Sequence, residues 1–481
     1  MAFDSGGESS KVRRIAVIGG GLSGLAAAHR LVELSAARNE RIKLTLFEAG
    51  EQFGGLVQTV REGEYLVELG ADSFITNKPA AIRLCERLGL GPELIPTEAK
   101  YRRSQVLFRG KPHAVPEGFQ LLTPASIRSF LFSPLFSLRG KLRMGWELFV
   151  PPRREEGDES LSSFVTRRFG QEALDRLVQP MVGGIYTSDP RKLSLAATMP
   201  RFLEMEQKYG SLLRAMRQGQ SREEGKAGAS GARYGLFVTL RNGMSELTSK
   251  LVSTLQGAGV ELRMKSPVTR LSGNATGFQV ETQGGAEDYD GVIVALPAYR
   301  AAELVSPFAA ELAGVLNKIE YASSAIVVSG HKLADIRDPL DAFGLVIPAV
   351  EKRKILAVSY SSRKFPGRAP EGRVILRTFV GGDMQPELFD LSDAEMEQMV
   401  KSELREILGV SGKEDFFEIA RYPRSMPQFQ VGHLERVKEI RKLAAAVPRF
   451  ALAGNAYDGV GVPDTIASGE QAAESVLRGS E

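Results

Sequence analysis

Residues 13–48, RRIAVIGGGLSGLAAAHRLVELSAARNERIKLTLFE, decide the fold class. The run RRIAVI is apolar on both faces, as in a buried parallel strand. Gly19-Gly20-Gly21-Leu22-Ser23-Gly24 follows at once and fits GxGxxG, with Gly19, Gly21 and Gly24 in the key places. Residues 25–34 are rich in alanine, a strong helix former. A second strand over residues 42–47 ends at Glu48. Strand, glycine turn, helix, strand and acid make up a dinucleotide-binding fingerprint. Gly19 permits the tight turn, Gly21 lets a pyrophosphate approach the backbone, and Gly24 lets the helix pack against the strand. The helix N-terminus, with Ser23 in its first turn, offers free N–H groups and a positive dipole end to phosphate. Glu48, followed by Ala49, can accept the ribose hydroxyls and would repel a 2′-phosphate.

The rest of the chain is ordinary soluble material. It has 481 residues, 62 basic and 58 acidic, for a formal net charge of +4. That length predicts two or three domains or one discontinuous fold. The charge is too balanced to argue for nucleic acid. A single cysteine, Cys85, excludes a disulfide framework, and four histidines in no ligand spacing argue against a metal site. Cys85 reads as a buried helix residue. The polar N-terminus lacks a signal-peptide core, and no apolar run is long enough to span a membrane. Residues 127–150, IRSFLFSPLFSLRGKLRMGWELFV, mix aromatic and basic side chains. That mixture suits either an amphipathic core helix or a peripheral membrane contact. A cytoplasmic protein, in some form at the inner face of the membrane, is expected.

The fingerprint alone does not separate NAD from FAD. The following residues do: Phe53-Gly54-Gly55-Leu56, then Glu68-Leu69-Gly70-Ala71-Asp72-Ser73-Phe74. Residues 17–74 resemble the extended nucleotide motif of the flavin amine oxidase superfamily. The resemblance implies FAD, with Gly54 and Gly55 bringing backbone against it and Gly70, Ala71, Asp72 and Ser73 near the isoalloxazine. Near the C-terminus an apolar strand ends in Gly454-Asn455, and Gly459-Val460-Gly461-Val462-Pro463-Asp464 opens a helix over residues 465–476. This is similar to the superfamily's closing motif, which implies Gly454, Gly461 and Val462 as further cofactor residues. A helix N-terminus there would stabilise the negative charge of a reduced flavin.

Residues 237–251, FVTLRNGMSELTSKL, read as a helix entered through Gly243-Met244. Short strands follow at 260–264, 267–271 and 291–296, and the resemblance places the Val268 backbone on the adenine side. The fold class expected is therefore α/β: a discontinuous Rossmann-like FAD-binding domain, an α+β substrate domain and a mainly helical domain. The expected segments are FAD-binding at 1–80, 235–300 and 446–481, helical and membrane-associating at 81–210, a flexible loop at 211–234, and substrate-binding at 301–445.

Further segments match one branch. These are Gln179-Pro180-Met181-Val182-Gly183-Gly184-Ile185-Tyr186, the F-x-x-L-x-x-G-M-x-x-L pattern at 237–247, SSRKFPGRAP at 361–370, and Met426-Pro427-Gln428-Phe429 with Val431-Gly432-His433. With the N-terminal motif they resemble the FAD-dependent protoporphyrinogen and coproporphyrinogen oxidases of haem biosynthesis, over residues 12–477. The resemblance implies oxidation of a porphyrinogen to the porphyrin by three hydride transfers to flavin, with dioxygen reduced to hydrogen peroxide. It implies no acid–base side chain and no metal, since the flavin is the hydride acceptor. It implies the Gly184 backbone against the pyrrole nitrogens, Phe365 and Val346 sandwiching the macrocycle, and Arg103 or Arg102 gripping a propionate. His433 is expected to orient a loop rather than act as a base. Coproporphyrinogen III carries two more carboxylates than protoporphyrinogen IX, and the basic run Arg102, Arg103, Arg109 and Lys111 favours it. The other readings are an amine oxidase and a flavin- and porphyrin-binding protein without turnover. For the former, no convincing lysine or aromatic pair facing a flavin is found. A monomer or homodimer that hands product to the next pathway enzyme is expected.

Overall fold

The computed structural model describes residues 12–115, 132–155, 157–223, 236–274 and 276–478. Its first layer is a five-stranded parallel sheet in the order Glu261–Arg263, Ile42–Phe47, Arg13–Ile18, Gly291–Val294, Phe450–Leu452. The central strand is buried on both faces, so Ile15, Ala16, Val17 and Ile18 all lie in the core. That explains a continuous apolar run rather than an alternating one. Helices Leu22–Ala37, Ser245–Gly257 and Val462–Arg478 cover one face and share one apolar core with it. The first and last helices cross closely. A Cβ on Gly469 would lie 2.2 Å from the Ser23 carbonyl oxygen, so nothing larger than glycine allows that approach.

The second layer is a seven-stranded mixed sheet, ordered Phe416–Pro427, Tyr321–Lys332, Arg373–Gly381, Ala357–Tyr360, Gly344–Val346, Gln105–Phe108, Lys111–Ala114. Helix Asp393–Leu408, entered through a capping box of Ser392 and Glu395, packs on it. A third, helical unit spans helices Leu138–Gly145 to Leu212–Glu223. Its centre holds Phe164, Val165 and Leu174 beside a fully buried guanidinium, Arg168. Arg168 donates to the carbonyls of Val150 and Gly210 at 2.7 Å each and pairs with Glu206 at 3.0 Å.

Three expectations change. Residues 237–251 do not form one helix: Phe237–Leu240 is a strand between Phe74–Ile75 and Leu94–Pro96. Gly243, at φ +97°, turns the chain into the helix that follows. The region 81–210, expected to be mainly helical, also supplies two strands, Gln105–Phe108 and Lys111–Ala114, to the seven-stranded sheet. The two strands pair with each other as a hairpin through Arg109-Gly110 and join the sheet through a remote pairing, Leu345 opposite Gln105. The loop expected at 211–234 begins instead as helix Leu212–Glu223, and its remainder, 224–234, lies outside the described residues, as do 127–131 of the aromatic and basic segment.

Candidate functional site

The glycines of the first turn divide their work by position. Gly19 adopts φ +109°, and a Cβ there would sit 2.4 Å from the Ala295 carbonyl oxygen. A Cβ on Gly24 would sit 1.8 Å from the Gly19 carbonyl oxygen. Gly21 is different: a Cβ there meets no atom within 4 Å. It caps helix Leu22–Ala37 with no side-chain hydrogen bond, so the first N–H groups of that helix face open space. Gly54 donates its N–H to the Gly20 carbonyl at 2.9 Å, which lays residues 54 and 55 beside Gly21. Glu48 closes the outer end. Its Oε2 accepts the Gly20 N–H at 2.8 Å and its Oε1 the Gly50 N–H at 2.6 Å. Each oxygen keeps a lone pair for a hydroxyl donor.

The opposite end of the cradle is the start of the last helix. Gly461 accepts from Thr465 N–H at 2.9 Å, and Lys78 holds Asp464 at 2.7 Å. Gly454, at φ +146°, donates to Ser468 Oγ at 3.0 Å. Val268 begins the strand Val268–Asn274 and is half-buried. Two helix N-termini and a terminal carboxylate along one groove suit a dinucleotide: acid for a ribose, first helix for phosphates, last helix for a ring that gains negative charge. The open space over Gly21 is what such a group needs.

Between these ends lies a buried charged layer. Gly70 presses on the Leu56 carbonyl, 1.6 Å from where a Cβ would stand. Asp72 then meets Lys364 Nζ at 3.1 Å, Arg377 at 3.2 Å and Ser73 Oγ at 2.8 Å. Burial opposes its ionisation, but the Lys364 and Arg377 cations prevail and hold its carboxyl far below the usual range. Glu68 lies nearby, accepting from Thr59 Oγ1 at 2.7 Å and Met244 N–H at 2.9 Å. Burial pushes it up to about 6. Ala71 is half-buried beside the first core.

The expected substrate residues fall in several places. Gly184 lies exposed in the last turn of helix Gln179–Tyr186, where intrahelical donors run out. A Cβ there would be 3.8 Å from Val346 Cγ1. Tyr186, Val346 and Val460 pack on the same apolar cluster, so this patch adjoins the start of the last helix. Phe365 does not present an open face. It is 1% exposed, with the Lys364 ammonium 5.3 Å and the Arg368 guanidinium 5.9 Å from its ring centre. Arg102 is turned back on its own loop, donating to the Thr97 carbonyl at 3.1 Å and to Thr97 Oγ1 at 3.2 Å. Arg103 is half-exposed and paired with Asp341 at 3.4 Å. Of the two, only Arg103 is placed to reach outward. His433 is buried and stacked on Phe429 at 4.0 Å, with Nε2 at 3.2 Å from the Tyr457 carbonyl. Burial lowers it to about 4. A neutral imidazole holding a loop fits that environment.

Sequence reasoning missed Gln179, Lys364 and Arg377. Gln179 follows a π-helical turn, Leu174–Val178, and accepts the Ala349 N–H at 2.9 Å, fixing the loop beyond Val346. A π turn is a recurrent mark of functional sites, but no sequence pattern signals it. Among the described residues there is no group of three or more His, Cys, Asp or Glu that could hold a metal.

Residues 22–477 match the family described as flavin containing amine oxidoreductase. A coproporphyrinogen III oxidase of Bacillus subtilis is 34% identical over 469 residues, covering 97% of this chain and 98% of the relative. Protoporphyrinogen oxidase 2, chloroplastic/mitochondrial, of Arabidopsis thaliana is 28% identical over 502 residues, covering 98% and 95%. A crystal structure from Exiguobacterium, provisionally named a protoporphyrinogen oxidase, superposes with a TM-score of 0.85 at 30% identity over 97% of this chain and 99% of that one.

Proposed function

We propose, from the premise that the chain belongs to the flavin-containing amine oxidoreductase family and is a FAD-dependent oxidoreductase, that its substrate is a porphyrinogen and that coproporphyrinogen III is preferred. One observation carries this reading: the full-length relationship to the Bacillus coproporphyrinogen III oxidase, higher in identity than that to the plant protoporphyrinogen oxidase. FAD, when bound, supplies the hydride acceptor and delivers the electrons to dioxygen, giving hydrogen peroxide; three rounds aromatise the ring.

The chain's own residues position and shield. The carbonyl of Gly184 accepts pyrrole N–H groups, and the negative end of helix Gln179–Tyr186 favours the positive charge left on the macrocycle when hydride departs. Val346 and Tyr186 form an apolar wall that excludes water. Arg103 exchanges Asp341 for a substrate propionate. No side chain serves as general base.

The same reading includes a membrane face. Phe132, Leu138, Leu142, Trp146 and Phe149 are 61–81% exposed, with Arg139 exposed among them. Such a face suits an anionic lipid surface. Among the described residues no helix is long and apolar enough to cross a membrane.

The test is turnover in air of purified FAD-loaded protein with coproporphyrinogen III, protoporphyrinogen IX and a panel of primary amines. Porphyrin fluorescence and peroxide formation well above autoxidation, faster with coproporphyrinogen III, are expected. Peroxide from amines alone would overturn the reading.

A further inference from the structure

The buried layer beside the cradle carries unequal charge. Its acids are Glu68 and Asp72; its bases are Lys364, Arg368 and Arg377. All five are largely enclosed: side-chain exposure is 2% for Glu68, 15% for Asp72, 13% for Lys364, 1% for Arg368 and 3% for Arg377. Three cations against two carboxylates leave one positive charge over. Arg368 is satisfied by the carbonyls of Arg241 and Leu240 and by Thr239 Oγ1. Glu68, 4.0 Å from Arg368, balances that cation, so the surplus falls at Asp72, where one carboxylate serves both Lys364 and Arg377. Arg377 also donates to the Gly70 carbonyl, and its Nε is buried with no hydrogen-bond partner among the described residues.

The layer's place follows from the chain that bears it. Gly70 is clamped on Leu56, just beyond the two glycines beside Gly21. Lys78, six residues after Asp72, holds Asp464 in the first turn of the last helix. The segment 70–78 thus runs from the phosphate end of the cradle to its other end. With a ribose at Glu48 and phosphates at Gly21, as the proposed reading has them, the second half of a dinucleotide would run along this segment.

We propose that Lys364 and Arg377, counterbalanced in part by Asp72, form an electrostatic site that favours the reduced flavin. Taking up hydride adds one negative charge to the ring. A fixed, buried positive charge stabilises that form relative to the oxidised one, and low local polarity makes the effect larger than in water. These are positioning charges and take no proton. The simpler role for the same contacts is a tie between layers, because Asp72 belongs to the cofactor side, Arg377 to a strand of the seven-stranded sheet and Lys364 to the short helix Ser361–Lys364 beside it. The proposal rests on the flavin and not on the porphyrinogen, so it stands or falls apart from the substrate assignment.

The two roles separate in the midpoint potential of the holoprotein, measured by xanthine–xanthine oxidase reduction against a dye. Lys364→Met removes a cation and should shift the reduction equilibrium at least tenfold toward oxidised flavin, about 30 mV for a two-electron couple. Asp72→Asn removes the balancing anion and should shift it by a similar factor the other way. Lys364→Arg should restore the wild-type value within threefold. If Lys364→Met does not retain flavin, Arg377→Gln is measured in its place with the same expectation. Equal potentials in all variants, or shifts of one sign for both Lys364→Met and Asp72→Asn, would overturn the proposal and leave a structural tie.

Discussion

Gly21 and Gly24 lie three positions apart and fail differently when filled. A side chain at Gly24 collides with backbone, and such overpacking costs about 1–3 kcal/mol. A Cβ at Gly21 enters open space, where the proposed dinucleotide would lie. Gly24→Val should therefore lower both apo-protein stability and flavin content. Gly21→Ser, which keeps a favourable N-cap residue, should leave apo stability within about 0.5 kcal/mol, the range of a neutral surface change, yet purify without yellow colour. Denaturant titration of the apo forms, with the 450 nm absorbance, checks the pair. The glycines and Glu48 were legible in the sequence because their chemistry is local, within one turn and one strand. The Asp72–Lys364 pair was not, because its partners stand 292 positions apart.

His433 gives a second prediction at this scale. Burial lowers its folded pKa to about 4, below the unfolded value of about 6.5. The unfolded state therefore binds the extra proton first. The stability contribution is complete above about pH 6.5 and is lost as pH falls toward 4. At 1.36 kcal/mol per unit this amounts to about 3 kcal/mol. His433→Phe, which keeps a ring on Phe429, should flatten the fall in unfolding free energy between those pH values. An unchanged pH slope in the variant would show that the imidazole is not the sensor.

Among the elements, the helix Leu138–Gly145 and the turn Trp146–Phe149 present Leu138, Leu142, Trp146 and Phe149 outward. Their spacing of four, four and three keeps them on one helical face. The inward face is held by Met144 and by buried Glu147, which accepts from Ser211 Oγ at 2.6 Å and Leu212 N–H at 2.9 Å. Periodicity in the sequence showed an amphipathic segment but not which face met the protein, since core and lipid select the same residues. Trp146 is the only tryptophan, so its emission reports on this face alone. Vesicles containing anionic lipid should shift that emission to the blue and sediment the protein, while neutral vesicles and the Trp146→Ser, Phe149→Ser variant should do so much less. Equal sedimentation of variant and wild type would remove the membrane face. Strand Phe237–Leu240 makes the complementary point. Its partners are short and distant, so four β-prone residues before a helix were read as the helix itself.

Over the whole molecule, the parallel sheet draws strands from residues 13–18, 42–47, 261–263, 291–294 and 450–452. The dinucleotide cradle exists only when these segments are assembled. Flavin binds the assembled state alone, so it should stabilise the fold by RT ln(1 + [FAD]/Kd), about 2.7 kcal/mol at a hundredfold excess over Kd. The melting temperature of the apo-protein should rise steadily with added FAD and respond little to FMN, which lacks the adenosine proposed to bind at Glu48. The discontinuous layout could be read in the sequence because its glycine turns mark both ends. The seven-stranded sheet could be read only in part, since Gln105–Phe108 joins it through a remote parallel pairing.

The central claim concerns the substrate, and one measurement reaches it directly. Holoprotein is mixed anaerobically with a stoichiometric amount of coproporphyrinogen III, and flavin absorbance at 450 nm is followed. The account predicts rapid bleaching, return of the absorbance on admitting air, and porphyrin appearing over repeated cycles, with protoporphyrinogen IX slower. A flavin that stays oxidised with both porphyrinogens and bleaches with an amine would contradict it.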